Sequence, residues 1–123
     1  MVKLSPRQFD EVLQGAIASL PENFRAVLEL VPVVVDLWPD EALCPSDEDA
    51  GDLMGLFVGP PMAEWNRSDA PPETAVIYIF QRPLEASCET RRELAEQIRI
   101  TLFHELGHCL GFDEGGLDRI GLG

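Results

Sequence analysis

Two histidines and a glutamate near the end of the sequence have the residue types and spacing of a zinc-binding helix. The segment reads His104-Glu105-Leu106-Gly107-His108, and it holds both histidines of the 123-residue chain. Side chains four residues apart on a helix point the same way, so both imidazoles can reach one zinc ion, Zn2+. Zinc lowers the pKa of a bound water to about 7, and Glu105 projects toward the edge of the same face. The pattern predicts a hydrolase in which Glu105 takes the proton of a zinc-bound water that attacks a peptide carbonyl.

A third protein ligand must come from outside this pentapeptide, because catalytic zinc sites usually have three. The chain after His108 leaves little room for a separate helix that would carry it. Gly111 permits the backbone to reverse through a positive φ and return toward the metal, which gives the spacing His-x3-His-x5-Glu with Glu114 as the ligand. Asp113 and Asp118 are alternative ligands, and an acid at any of these positions can equally be solvated without holding a metal.

The motif falls on a predicted helix over residues 91–110. Thr90 and Glu93 form a capping box at its start, and Gly111 suits the position just past its end. At helical periodicity the two histidines share a narrow polar face with Gln97 and Thr101. The opposite, broad apolar face, which is expected to pack in the core, comprises Leu94, Ala95, Ile98, Leu102, Leu106, Cys109 and Leu110.

Two further helices are predicted near the N-terminus. Ser5 can cap the first of them, Pro6 suits its first turn, and Gln8 completes a capping box. Apolar residues then recur at helical spacing until Pro21 ends the helix, and residues 22–29 can form a second, short helix.

Three short segments have the composition of strands. Residues 31–37 are β-branched, with a proline at the second position that favours an edge strand or a strand that begins just after it. Residues 53–58 are a second candidate, and residues 75–80 are apolar on both faces, as in a central strand covered by helices. The expected class is α+β: a small mixed β-sheet packed against the long C-terminal motif helix and an N-terminal helix.

Composition restricts the functional classes further. The net charge of −13 disfavours general binding to nucleic acid or to anionic membranes. The start of the chain lacks an apolar leader, so a cytoplasmic protein is expected, and its length suits one domain over residues 1–123. Cys44, Cys88 and Cys109 show no paired spacing and are expected to be free thiols.

The sequence resembles a family of small bacterial zincin-like metallopeptidases that was first described as a domain of unknown function. The specific part of the resemblance is the block at residues 104–114. Softer matches are Pro21-Glu22 and residues 33–36, 53–59 and 77–84. The resemblance implies a minimal zincin fold, a zinc cofactor and a peptide or protein substrate. A chain this short has few residues to line a deep pocket, so a peptide extended along an edge strand is the expected binding mode.

Two alternatives stay open. Bacterial rRNA-maturation endonucleases use a similar short metal helix, but Glu105 and Glu114 depart from their pattern and the net charge opposes RNA binding. A catalytically silent zincin-like module that binds or regulates a partner also fits, because no oxyanion stabiliser is evident. Tyr78 is expected in the core, and Arg82 and Arg119 cannot be placed near the metal from the sequence.

Overall fold

A small sheet and the helices that cover one of its faces make up the described part of the computed structural model, which comprises residues 1–40, 42, 53–64 and 75–111. The strands are β1 (Val33–Asp36), β2 (Gly55–Val58) and β3 (Val76–Phe80), in the spatial order β1-β3-β2. β1 runs parallel to β3 and β2 runs antiparallel to it. The sheet is therefore mixed, with β3 at its centre, and the predicted α+β class is confirmed.

The proline before β1 sets where that strand begins. Pro32 has no N–H to donate to a ladder, and β1 starts at the residue after it. The carbonyl of Pro32 accepts a hydrogen bond of 3.0 Å from the N–H of Ile77 on β3. Both parts of the prediction for this segment are confirmed, since β1 lies at the edge of the described sheet and follows the proline directly.

Four α-helices are described: α1 (Pro6–Ala18), α2 (Glu22–Leu28), α3 (Gln81–Ala86) and α4 (Arg91–Cys109), and a short 3-10 helix spans Met62–Glu64. α1 begins with the predicted capping box. The Ser5 side chain accepts a hydrogen bond from the N–H of Gln8, and the Gln8 side chain accepts one from the N–H of Ser5. α3 was not predicted. It has only six residues, too few to show a periodic pattern.

The motif helix α4 lies between the sheet and α1, and it contacts β2, β3 and α3 as well. Thr90 caps its N-terminus by accepting a hydrogen bond of 3.1 Å from the N–H of Glu93. Most of its predicted apolar face is fully buried, where each large aliphatic side chain contributes about 1.5–3 kcal/mol. The fully buried members are Leu94, Ile98, Leu102, Leu106 and Cys109. Within the described ranges, no helix is both long and apolar enough to cross a bilayer.

A buried carboxylate joins the N-terminal segment to α3. Glu85 is 1% exposed, and its Oε2 accepts a hydrogen bond of 2.8 Å from the N–H of Leu4. Its Oε1 lies 2.7 Å from a guanidinium nitrogen of Arg82. The Gln81 amide donates both to the Leu4 carbonyl, at 3.0 Å, and to the Glu85 carboxylate, at 3.2 Å. These four groups form one network, so loss of the carboxylate leaves several buried donors unsatisfied.

We expect Glu85→Ala to lower the free energy of unfolding by about 3 kcal/mol, because the buried N–H of Leu4 and the buried Gln81 amide both lose an acceptor. Urea denaturation followed by circular dichroism measures the change. Glu96→Ala is the matched control, since Glu96 is exposed on α4 and its loss should change the free energy by less than about 0.5 kcal/mol. Equal effects of the two substitutions would contradict a stabilising role for the Glu85 network.

Candidate metal centre

The two histidines of the motif face each other in the last turns of α4. The Nε2 atoms of His104 and His108 are 3.1 Å apart, and the ring centroids are 4.7 Å apart at an angle of 75°. Both side chains are half-buried. One ligand atom from each of His104, Glu105 and His108 falls within 4.8 Å of the other two. The structure thus brings together the three residues that the sequence singles out on this helix.

The arrangement of the imidazoles fits a zinc ion. Zinc binds imidazole nitrogen at about 2.0–2.1 Å in tetrahedral geometry, which places two nitrogen ligands about 3.3 Å apart. The observed separation of 3.1 Å between the Nε2 atoms of His104 and His108 is close to that value. Imidazole nitrogens also suit zinc better than magnesium or calcium, which prefer oxygen ligands. The two histidines are therefore positioned to hold one zinc ion between their Nε2 atoms.

Glu105 is oriented by the main chain of β2. The residue is only 7% exposed, and its Oε1 accepts a hydrogen bond of 2.7 Å from the N–H of Phe57. In an antiparallel pair, successive residues alternate between pointing toward the partner strand and pointing away from it. The Met54 carbonyl accepts from the N–H of Phe80 on β3. The N–H and C=O groups of Gly55 and Phe57 consequently point away from β3, toward the side where Glu105 lies.

β2 passes very close to α4 at Gly55. A Cβ atom on this glycine would lie 2.5 Å from Cγ2 of Thr101 and 3.5 Å from Cγ of Glu105. The sequence predicts Thr101 on a polar face of α4, whereas the structure shows that β2 covers this part of the helix and that Thr101 is buried. Sequence reasoning missed both Gly55 and the Phe57 N–H. The one available signal was a glycine inside a predicted strand, which often marks a close backbone approach.

The end of α4 has the positive φ that the sequence predicts at Gly111. Gly111 has a φ of 98°, a conformation that glycine adopts far more readily than other residues. Its N–H donates a hydrogen bond of 3.0 Å to the carbonyl of His108. Glu114, together with its alternatives Asp113 and Asp118, lies outside the described residues. The turn at Gly111 is therefore confirmed, and the identity of the third ligand stays a prediction.

The side chains considered for oxyanion stabilisation have other contacts. Tyr78 is half-buried and stacks on Phe80, with ring centroids 6.0 Å apart and planes 5° from parallel. Arg82 pairs with the buried Glu85 carboxylate at 2.7 Å. Arg119 lies outside the described residues. The structure therefore connects neither Tyr78 nor Arg82 with the histidine pair.

The cysteines near the motif belong to the core rather than to the metal centre. Cys88 and Cys109 are both free and buried, as predicted, and Cys44 lies outside the described residues. Burial raises the pKa of the Cys109 thiol to about 11, so it stays protonated at neutral pH. Although Cys109 follows His108 directly, its thiol packs in the core cluster and is not among the ligand atoms that His104, Glu105 and His108 bring together.

Comparison with known proteins agrees with this geometry. Residues 28–123 match the family described as zincin-like metallopeptidases, a range that includes the whole sheet and the motif helix. The chain therefore belongs to the zincin-like metallopeptidase family, and its small mixed sheet beside a long C-terminal helix is a minimal form of the zincin fold. No curated protein matches the sequence. Membership of this family, with the His-Glu-His cluster, supports a metal-dependent, peptidase-like role.

We expect His108→Ala to lose zinc that the unaltered protein retains through purification without chelator. Removal of a ligand should lower the affinity by more than about a hundredfold, which exceeds the usual loss for residues that only support a ligand. Elemental analysis by mass spectrometry measures the metal content. Arg92→Ala, an exposed change in the first turn of the same helix, is the control and should leave the zinc in place. Equal zinc in the His108→Ala variant and the unaltered protein would eliminate this metal site.

Proposed function

We propose that the protein is a zinc-dependent peptidase in which His104 and His108 hold the metal, Glu114 is the third ligand and Glu105 is the general base. The observation that carries this proposal is the pair of Nε2 atoms 3.1 Å apart beside a buried carboxylate whose orientation is fixed by a strand. When bound, zinc supplies a Lewis acid that polarises a carbonyl and lowers the pKa of water to about 7.

In this proposal Glu105 transfers a proton and is not a metal ligand. It follows His104 by one residue, so on a helix its side chain leaves α4 about 100° away from the imidazole, toward β2. The hydrogen bond from Phe57 then holds the carboxylate at one oxygen. A carboxylate fixed in this way can accept a proton from water as water attacks a peptide carbonyl and can pass it to the leaving amine. General-base catalysis of this kind contributes about 10²–10⁴ to the rate.

An extended peptide along the outer side of β2 is the substrate that we propose. The outward carbonyl of the half-buried Phe57 is oriented to pair with such a peptide, as in recognition by strand addition. The N–H of Phe57 already donates to Glu105, so pairing at this residue would use its carbonyl. A peptide held there would lie beside the general base. The net charge of −13 favours such a substrate over RNA, which disfavours the endonuclease alternative.

We expect Glu105→Gln to reduce peptide hydrolysis about a thousandfold while zinc stays bound, because the amide cannot accept the proton. Cleavage of an internally quenched peptide library by the zinc-loaded protein measures the activity, and elemental analysis measures the metal. Glu96→Gln is the control, since it makes the same chemical change at an exposed position of the same helix.

Activity that survives in Glu105→Gln would contradict the assignment of the general base. Zinc-loaded, unaltered protein that cleaves no member of the library would contradict the peptidase proposal and favour the silent binding module. Incubation of the same preparation with ribosomal RNA tests the endonuclease alternative directly.

The third ligand can be assigned by substitution of each acid in turn. We expect Glu114→Ala to weaken zinc binding by more than about a hundredfold, as for a direct ligand, with Asp113→Ala and Asp118→Ala as its matched controls. Competition with a chromophoric chelator gives the affinity of each variant. If Asp118→Ala or Asp113→Ala alone produced the loss, the ligand would be reassigned to that residue.

A further inference from the structure

We infer that Gly55 is a positioning residue for the general base, because its lack of a side chain lets β2 lie close enough to α4 for the Phe57 N–H to reach Glu105. This inference rests on the role proposed above for Glu105. Gly55 has no functional group in a side chain, and its role is to set the distance between β2 and the Glu105 carboxylate.

The atoms around Gly55 leave no space for a methyl group. A Cβ at this position would lie 2.5 Å from Cγ2 of Thr101, well inside van der Waals contact, and 3.2 Å from the carbonyl oxygen of Tyr78. Thr101 cannot easily move aside. It is buried, its hydroxyl donates a hydrogen bond of 2.7 Å to the carbonyl of Gln97, and a β-branched side chain on a helix has few rotamers. A side chain at position 55 would therefore push β2 away from α4.

α4 and β2 each pack against other elements of the fold. The distance between them is therefore set where Gly55 meets Thr101. α4 is anchored in the core through the fully buried Leu102 and Leu106. β2 is paired along its other side with β3, for instance Leu56 with Tyr78. Neither set of contacts can absorb a methyl group between strand and helix without a shift of the strand.

Such a shift would act on the general base. Phe57 follows Gly55 by two residues, so its N–H leaves β2 on the same side as the N–H of Gly55. The Phe57 nitrogen is 2.7 Å from Oε1 of Glu105. N–H···O hydrogen bonds span about 2.7–3.2 Å, so displacement of the strand by about 1 Å is enough to break this one. The carboxylate would then lose the hydrogen bond that it accepts from β2, while His104 and His108, which are both on α4, would keep their mutual geometry.

The first experiment compares Gly55→Ala with the unaltered protein by nuclear magnetic resonance of the ¹⁵N-labelled, zinc-loaded chain. We expect the amide proton of Phe57 to exchange with solvent at least about tenfold faster in the variant, because a hydrogen bond to a charged group is lost. With the quenched peptide library, kcat should fall about tenfold or more with little change in KM or in zinc content. A role in overall stability alone would not single out the Phe57 amide or kcat.

A compensating change provides the sharper test. Thr101→Ser removes the Cγ2 atom that meets the new methyl group and keeps the hydroxyl that donates to Gln97. In Gly55→Ala/Thr101→Ser we therefore expect most of the Phe57 protection and most of kcat to return, measured against Thr101→Ser alone. Gly15→Ala is the matched control, because nothing lies within 4 Å of a Cβ added at that exposed helical glycine. It should leave both measurements unchanged.

Normal Phe57 exchange and normal kcat in a folded Gly55→Ala variant would overturn the inference. If Gly55→Ala alone does not fold, the double variant decides: a folded double variant whose Phe57 amide still exchanges fast, with low kcat, would also overturn it. If the peptidase proposal is wrong, the same experiments give a different result. In that case the unaltered, zinc-loaded protein cleaves no peptide, whereas Gly55→Ala still accelerates Phe57 exchange and the double variant reverses this. That result would support Gly55 as the residue that positions Glu105 and would remove only the hydrolytic role.

Discussion

A carboxylate held out of water needs hydrogen-bond donors, and for Glu105 the strand β2 supplies one through the N–H of Phe57. The other features of the site follow from this contact. β2 must lie at one side of the sheet with the N–H of Phe57 pointing away from β3, which the antiparallel register with β3 achieves. It must also lie very close to the helix, which requires a residue as small as Gly55 at the crossing. A main-chain N–H thus donates the hydrogen bond to Glu105, whereas in many sites a side chain is the donor.

The same helix builds the core and the metal centre. Residues of α4 that face the sheet and α1, such as Leu102 and Leu106, are fully buried, and the histidines occupy a neighbouring face in the last two turns of the helix. Since an α-helix in a packed core neither rotates nor slides freely, the direction of both imidazoles is fixed by aliphatic packing. A protein with a sheet of only three described strands can therefore orient both imidazoles without a separate scaffold for them.

Local sequence signals predicted the elements of the fold and part of the site. The caps at Ser5 and Thr90, the proline before β1 and the positive φ at Gly111 depend on near neighbours, and the structure has all four. The pairing of Glu105 with Phe57 joins residues 48 positions apart and uses a backbone N–H, which every residue but proline carries, so no pattern in the sequence marks it. α3 was missed because six residues carry too little periodicity to register as a helix.

The long sequence separation within the site has a consequence for the order in which its parts form. His104 and His108 come together as soon as the last turns of α4 exist, since both lie on one helix. The contact between Glu105 and Phe57 requires closure of a chain segment of 48 residues, which carries a greater entropic cost and depends on the sheet. The histidine pair can accordingly form before Glu105 acquires its contact with β2. The side chain proposed as the base is therefore oriented only in the completed tertiary structure.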